Sequence, residues 1–485
     1  MTKRYSIQTF GCQMNEHDSE RISGLLETAG LERVLEPESA DVVVLNTCCI
    51  RENADNKFYG HLGNLKSLKE QNPSMKIMVG GCLAQKDQEA IRDRASHVDV
   101  VFGTHNLERV VDLLEESDHG PIVEIIEPTE NELDSFGSEP LPTRRDVAYA
   151  AWMTIQSGCD NACAFCIVPQ VRGPEVSKPF GDLLQEAKNL VNDGVDEITL
   201  LGQNVNSYGR DLTLKLRFQP PSELDETIAG YEWANNIKRT PRPLFGDLLR
   251  GIGDIPGLRR VRYTSPHPKD LRDDVMHAMA ETESVCEHLH FPLQSGSDRI
   301  LSAMHRGYTA ERYLKKLEQA RLIIPDLAVT TDIIVGFPGE TDHDFEETLN
   351  VAAQAEFDSA FTFVFSPRPG TEAAEMVQEY CDPKVVVERY ERLRAVIQRS
   401  GMIKHQERIG KEEKVIIEGI SKKDPTLLSG RTRQNKLVHF PASHLPDGTL
   451  AIAKVTSAAP NYLMGELVEV LERPRRKTRI PVVAG

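Results

Sequence analysis

Apolar and polar positions along this chain switch between a two-residue and a helical period, and the switches mark its elements. Within residues 3–126, the runs Tyr5–Phe10, Asp41–Thr47, Lys76–Gly81 and Val98–Phe102 read as strands. Between them, Ser19–Ala29, Asn53–Lys69 and Asp87–Arg94 carry helical spacing. Such alternation predicts a parallel sheet covered by helices. Residues 127–146 are rich in Pro, Glu, Ser and Thr without an apolar period, and read as a linker.

Residues 147–383 repeat the strand-then-helix pattern six times. Strands are expected at Ala150–Gln156, Glu197–Leu201, Arg259–Thr264, His288–Phe291, Val329–Val335 and Ala360–Phe365. Six units predict a partial (β/α)6 barrel with its chemistry at the C-terminal ends of the strands. The polar, Pro-containing stretch Arg210–Arg242 interrupts it and reads as a surface insertion. A connecting helix then runs through residues 384–410. It leads to the β-like pieces Lys414–Glu418, Lys436–Phe440, Thr449–Thr456 and Glu466–Leu471. These predict a small β-barrel or sandwich over residues 411–473, followed by a basic tail at 474–485. The expected class is α/β with three parts.

Composition narrows the setting. The 485 residues are 40% hydrophobic and 27% charged, which excludes a disordered chain and a membrane composition. No apolar run approaches the roughly 18 residues of a spanning helix, and the start lacks the apolar core of a signal peptide. A soluble cytoplasmic protein with no membrane partner is expected.

The formal charge of −17 argues against a polyanionic partner until it is mapped. Residues 384–485 hold 20 Lys and Arg against 11 Asp and Glu, a net of +9. The other 383 hold 37 against 63, a net of −26. An acidic body with a basic end leaves room for nucleic acid.

Nine cysteines without a secretory signal suggest reduced thiols or metal ligands. Cys159, Cys163 and Cys166 form a C-x3-C-x2-C run directly after the first barrel strand. Three thiolates suit a four-iron cluster that keeps one iron open, and a zinc site short of one ligand is the competing reading. A dispersed set, Cys12, Cys48 or Cys49, and Cys82, lies just past three strands of the first region. In a parallel sheet these ends share one edge, so the thiols can converge. Burial as small hydrophobes is the alternative. Cys286 and Cys381 match no spacing.

The cysteine triplet resembles the signature of radical S-adenosylmethionine (SAM) enzymes. Together with Gly11-Cys-Gln-Met-Asn15, Asn46-Thr-Cys48, Gly80-Gly-Cys82, Pro292-Leu-Gln-Ser-Gly-Ser297, Asp332-Ile-Ile-Val-Gly-Phe-Pro-Gly-Glu-Thr341 and Ser366-Pro-Arg-Pro-Gly-Thr371, it resembles the methylthiotransferase family of those enzymes. The end, with Ser429-Gly-Arg-Thr432 and Leu463-Met-Gly465, resembles a TRAM domain. The resemblance covers nearly the whole chain, and Gln13-Met14 resembles the branch acting on isopentenylated adenosine of tRNA.

What the resemblance implies is specific. Cys12, Cys48 and Cys82 hold an auxiliary [4Fe-4S] cluster, while Cys159, Cys163 and Cys166 hold the one that cleaves SAM to a 5′-deoxyadenosyl radical. The Cys48-Cys49 pair departs from the family's Cys-Ser, so Cys49 competes with Cys48. Phe165 lies beside the adenine of SAM, and Gln203 falls where relatives contact its amino group. Gln294, Ser295 and Asp332 stand at strand ends facing the site, although capping or turn roles suit them equally.

Arg431, Arg433 and Lys436 are the expected RNA grip, because small β-barrels bind oligonucleotides. The substrate is then the anticodon stem-loop of tRNA, with an electron donor such as a flavodoxin or ferredoxin, and the enzyme a monomer. Two alternatives stand: the same chemistry on a ribosomal-protein aspartate or a threonylcarbamoyladenosine tRNA, or a non-enzymatic iron–sulfur or zinc protein that binds RNA.

Overall fold

The computed structural model describes residues 2–48, 52–127, 141–441 and 444–475. Cys49, most of the expected linker and the tail from residue 476 lie outside the described residues.

The first part is a six-stranded parallel sheet. Its strands are β1 (Arg4–Phe10), β2 (Glu32–Arg33), β3 (Val42–Thr47), β4 (Lys76–Gly81), β5 (Val100–Phe102) and β6 (Ile122–Glu124). Their spatial order is β2-β1-β3-β4-β5-β6. The continuous apolar run of β3 has a direct cause: helices cover both faces. Val43 and Leu45 pack into one core with Ile77 and Val79, while Val42 and Val44 pack into another with Met78 and Val100. Two edge strands, β2 and β6, were not legible because each has only two or three residues.

The second part holds β7 (Ala150–Thr154), β8 (Gln156–Ser157), β9 (Val176–Ser177), β10 (Glu197–Leu201), β11 (Arg260–Tyr263), β12 (His288–His290), β13 (Ala328–Val335) and β14 (Ser359–Val364). Parallel ladders join β7-β10-β11 and β12-β13-β14, and a bridge between Val261 and Val285 links the two sets. Strands β8 and β9 form a short antiparallel pair beside the cysteine loop. The six expected barrel strands are present, and no ladder joins β14 to β7 among the described residues.

Strand parity divides this sheet. Ala151, Ile198, Val261, Leu289, Val329 and Ile333 face the helices and are fully or almost fully buried. Their alternates on the concave side include Trp152, Thr154, Glu197, Arg260, Arg262, His290, Asp332 and Phe361. A closed eight-stranded barrel of this type fills its centre with branched aliphatic side chains. Here the inward side chains are polar and aromatic, and Phe361 among them is 59% exposed, so an open chamber lies along the β14 side while Arg260 and Arg262 are buried.

The expected surface insertion has structure of its own. It folds into three short helices, Arg210–Arg217, Asp225–Ala229 and Tyr231–Ala234. Trp233 is fully buried there and donates from Nε1 to the Thr240 carbonyl at 2.9 Å. Arg239 lies over the Trp233 ring at 4.7 Å and pairs with Asp225 at 2.6 Å. Leu216, Ala229 and Trp233 join the main core of the second part, and Leu212 is buried beside them in sequence, a signal diluted by the surrounding polar residues.

A helix at Pro383–Gln406, N-capped by Asp382, leads into the third part. Strands β15 (Glu412–Ile420), β16 (Leu427–Arg431), β17 (Leu437–Pro441), β18 (Leu450–Ala459) and β19 (Tyr462–Glu472) close into a barrel in the order β15-β16-β17-β19-β18. No described helix is long and apolar enough to cross a membrane.

Candidate functional site

The spatial order of the first sheet places two cysteines at its topological switch point. Strands β1 and β3 are neighbours whose connections leave in opposite directions along the sheet, and ligands bind at the carboxyl ends of such a pair. Phe10, Thr47 and Gly81 stand in register across β1, β3 and β4. Cys12, Cys48 and Cys82 therefore follow one common rung. Gly11 permits their approach: a Cβ there would meet the Cys48 Cβ at 2.5 Å. Hydrogen bonding to Cys48, with help from the Arg172 guanidinium, lowers the Cys12 thiol to about 6.

The second triplet rises from the end of β7. Gly158 has φ +76°, and a Cβ on it would meet the Pro174 carbonyl oxygen at 1.9 Å. Only glycine lets this loop lie against residues 173–174, where Cys159 N donates to the Gly173 carbonyl at 3.2 Å. The other side is held by Ala164 N to the Met304 carbonyl and by Arg306 Nη1 to Cys163 Sγ at 3.2 Å. Arg306 is buried, so its charge acts on the sulfur with little screening. Burial pushes the Cys166 thiol up to about 12. A thiolate there needs a compensating cation, which a bound iron cluster provides.

Among the described residues, no three His, Cys, Asp or Glu are gathered tightly enough for a single metal ion. Two sets of three thiols, one at the strand ends of the first sheet and one in a single loop, each with an arginine beside it, suit instead a cluster that fills the space between its own ligands.

The two sites are joined by one short helix, Val168–Arg172, which starts just after Cys166. At its far end Arg172 donates to Asp18 Oδ2 at 2.8 Å, with both side chains buried. Cys12 and Cys82 both contribute to holding the Arg172 proton. The helix Gln13–Thr28, which follows Cys12, then reaches the barrel: His17 Nδ1 and Thr154 Oγ1 are 2.8 Å apart. Thr154 belongs to the concave wall, so the first part covers the β7 side of the chamber.

The structure treats the expected SAM contacts unequally. Asp332 lies on the concave wall with His290 Nε2 at 3.3 Å. Gln203 follows β10, and its Oε1 is buried without a partner, as is Gln156 Oε1 nearby on β8. Buried unpaired acceptors of this kind fit a ligand bearing donors. Phe165 packs beside Ala164, Ile300, Met304 and Phe337 at the cysteine loop. Gln294 adopts φ +65° just past β12, a conformation few non-glycine residues tolerate. Its backbone bridges to β13, with Gln294 N donating to the Asp332 carbonyl. Ser295 faces away from the chamber: it is fully buried, its Oγ lying 3.3 Å from Thr348 Oγ1 and accepting from Ser297 N. Its position is that of a turn residue.

The three residues expected to grip RNA make ion pairs within the protein. The turn between β16 and β17 enters the N-terminal mouth of the chamber, opposite the thiols. Arg260 and Arg262, on the concave wall, donate to the carbonyls of Arg431, Thr432 and Arg433. Lys436 is buried against Asp358, Arg433 pairs with Glu287 and donates to the Val285 carbonyl, and Arg431 pairs with Glu418. These three cations are matched by carboxylates of the protein itself. Sequence charge cannot distinguish a cation that is free for phosphate from one that closes an interface.

Several site residues escaped sequence reasoning. Arg172 and Arg306 carry no spacing pattern, although each precedes a glycine close to a motif. The concave positions His290, Phe361 and Phe363 were accessible through strand parity alone.

A five-stranded barrel docked on an open parallel barrel, with three thiols at the first strand's end, defines a radical SAM enzyme. Residues 4–103 match the uncharacterized protein family UPF0004, residues 153–352 the radical SAM superfamily and residues 406–468 the TRAM domain. The radical SAM methyltransferase TsrM of Kitasatospora setae, solved with cobalamin and a [4Fe-4S] cluster, is similar in fold. Its TM-score is 0.52 at 12% identity, over 77% of each chain.

The chain belongs to the family of tRNA-2-methylthio-N(6)-dimethylallyladenosine synthases. The synthase of that name from Mycobacterium bovis (strain ATCC BAA-935 / AF2122/97) is 49% identical over 482 residues, 98% of this chain and 89% of the relative. That from Nocardia farcinica (strain IFM 10152) is 50% identical over 474 residues, 96% and 89% of the two chains. The protein is thus an enzyme whose class requires a [4Fe-4S] cluster and SAM.

Proposed function

We propose that the chain methylthiolates tRNA, replacing the C2 hydrogen of an N6-isopentenyl (dimethylallyl) adenosine beside the anticodon with a methylthio group. The observation that carries this reading is that both thiol-bearing regions meet at β7. The loop with Cys159, Cys163 and Cys166 follows β7 and β8, and Cys12 of the other set precedes the helix whose His17 meets Thr154 on β7. The printed names of relatives about half identical over nearly the whole chain support the substrate.

In this reading Cys159, Cys163 and Cys166 hold one [4Fe-4S] cluster and Cys12, Cys48 and Cys82 hold a second. The chemistry that a cluster and SAM supply together is one-electron cleavage of SAM, giving a carbon radical able to remove hydrogen. The protein's residues do the rest. Arg306 and Arg172 balance thiolate charge, Gln203 and Gln156 offer buried acceptors, and the chamber walls shield the reacting base from water. The base enters unstacked from the anticodon loop. Exposed Lys422, Lys423 and Lys454 give the C-terminal barrel its basic field toward RNA phosphates. The enzyme works as a cytoplasmic monomer, reduced by a low-potential donor such as a flavodoxin or ferredoxin.

The test is twofold. Anaerobically reconstituted protein binds about eight irons per chain, and tRNA from cells lacking the protein loses its methylthio-isopentenyladenosine by nucleoside mass spectrometry. Undiminished modified nucleoside rejects this substrate, and colourless protein with stoichiometric zinc rejects the chemistry.

A further inference from the structure

The concave wall of β12–β14 carries a surface that neither thiol triplet uses. Phe361 and Phe363 stand two residues apart on β14, their rings 6.4 Å apart and 18° from parallel. Phe361 also meets the His290 ring edge-on at 6.4 Å. Asp332 is in register with Phe361 on the adjacent strand and contacts His290. The wall is therefore two stacked rings bordered by an imidazole–carboxylate pair.

Exposure sets this wall apart. Phe361 is 59% exposed although it faces inward, whereas Val329, Ile333 and Val335 on the opposite face of β13 are fully buried. The aromatic row also leads to the chemistry. Phe365, two residues beyond Phe363, packs in the small cluster that contains Ala164 and borders Phe165 of the cysteine loop. Access is available because β14 is an edge strand, with no described ladder joining it to β7.

We propose that this wall receives the target nucleobase, with Phe361 stacking on its face and the His290–Asp332 pair meeting its polar edge. This rests on the tRNA reading above and names the subsite within it. Planar aromatic rings suit the π-face of an extruded base and the apolar N6 substituent beside it. The charge of the wall discriminates against the alternative substrate. An aspartate side chain would meet the Asp332 carboxylate, while Arg260 and Arg262, the inward-facing cations of β11, are committed to the β16–β17 turn.

The experiment uses reconstituted holoenzyme and a synthetic anticodon stem-loop carrying isopentenyladenosine, with Kd from fluorescence anisotropy and KM from product formation. Phe361→Ala raises Kd and KM for this RNA roughly 5- to 150-fold, the range of one lost base stack. Phe361→Leu, which keeps apolar volume but loses the ring, gives an intermediate loss, and Phe361→Tyr restores binding. SAM affinity by equilibrium dialysis stays within about twofold in all three, as a base subsite requires.

Unchanged Kd and KM in Phe361→Ala and in Phe361→Ala/Phe363→Ala overturn the proposal. So does a loss of SAM affinity matching the loss of RNA affinity, which would assign the wall to the cofactor. Wild-type holoenzyme that leaves the RNA unmodified overturns instead the substrate reading on which the subsite stands.

Discussion

Replacing Lys436 with methionine separates two roles that its charge alone cannot. In the structure its ammonium is buried against Asp358, the side chains being 5% and 10% exposed. Asp358 also accepts from Val329 N at 2.7 Å, so its carboxylate is fixed at the base of β13. Removing one partner of a buried ion pair leaves the other charge uncompensated, at a cost of about 3–5 kcal/mol. The retained Val329 hydrogen bond puts the expected loss near the lower end of that range.

The loss falls on the contact between the C-terminal barrel and the chamber. Hydrogen exchange of residues 427–441 should therefore accelerate by roughly 100-fold, the equivalent of about 3 kcal/mol. Lys436→Met/Asp358→Asn, which removes both charges, should recover much of the protection. RNA binding gives the contrary test. A phosphate contact would lower the slope of log affinity against log salt by about one when lost, with protection unchanged. That result would refute the interface assignment and restore Lys436 to the RNA grip.

Cys82→Ala is expected to lower iron from about eight to about four per chain while SAM cleavage persists, measured by iron assay and 5′-deoxyadenosine release. Full iron content would place the second site elsewhere, and the same assay on Cys48→Ala and Cys49→Ala decides between those neighbours. Arg172→Met leaves Asp18 buried and uncompensated, and iron retention at the Cys12, Cys48 and Cys82 site should fall with Cys159, Cys163 and Cys166 already replaced by alanine. Burial and the nearby Asp146 raise Glu20 to about 7, so its neutral form is favoured in the fold. Its contribution is intact below the ordinary carboxylate pKa and declines as pH rises toward 7. Glu20→Gln should then raise Tm over wild type near pH 8 and not near pH 4, with equal shifts at both counting against the burial argument.

The chain's order of elements, its three parts and its cysteine triplet were legible because they depend on local information. Strand runs such as Val42–Thr47 announce burial on both faces, and C-x3-C-x2-C is a spacing within one loop. Cys12, Cys48 and Cys82 were legible as strand-end residues. Their meeting depended on the spatial order β1-β3-β4, which no local period encodes. The helices of the insertion were not legible for a related reason: Trp233 and its contacts are spaced through polar sequence, and only folding collects them.

Charge shows the limit most clearly. Sequence determined that the C-terminal part is basic and that the body is acidic. Tertiary structure decided which cations remain available, because pairing is a matter of distance. Arg431, Arg433 and Lys436 meet Glu418, Glu287 and Asp358, and the last two pairs, made with residues far along the chain, tie the C-terminal barrel to the chamber. The reverse holds for the chamber wall. Strand parity in the sequence determined that Phe361 and Phe363 share a face, and the open curvature of the six strands decided that this face is exposed. A period fixes which side chains share a side, whereas what that side meets is set by how elements distant in sequence pack.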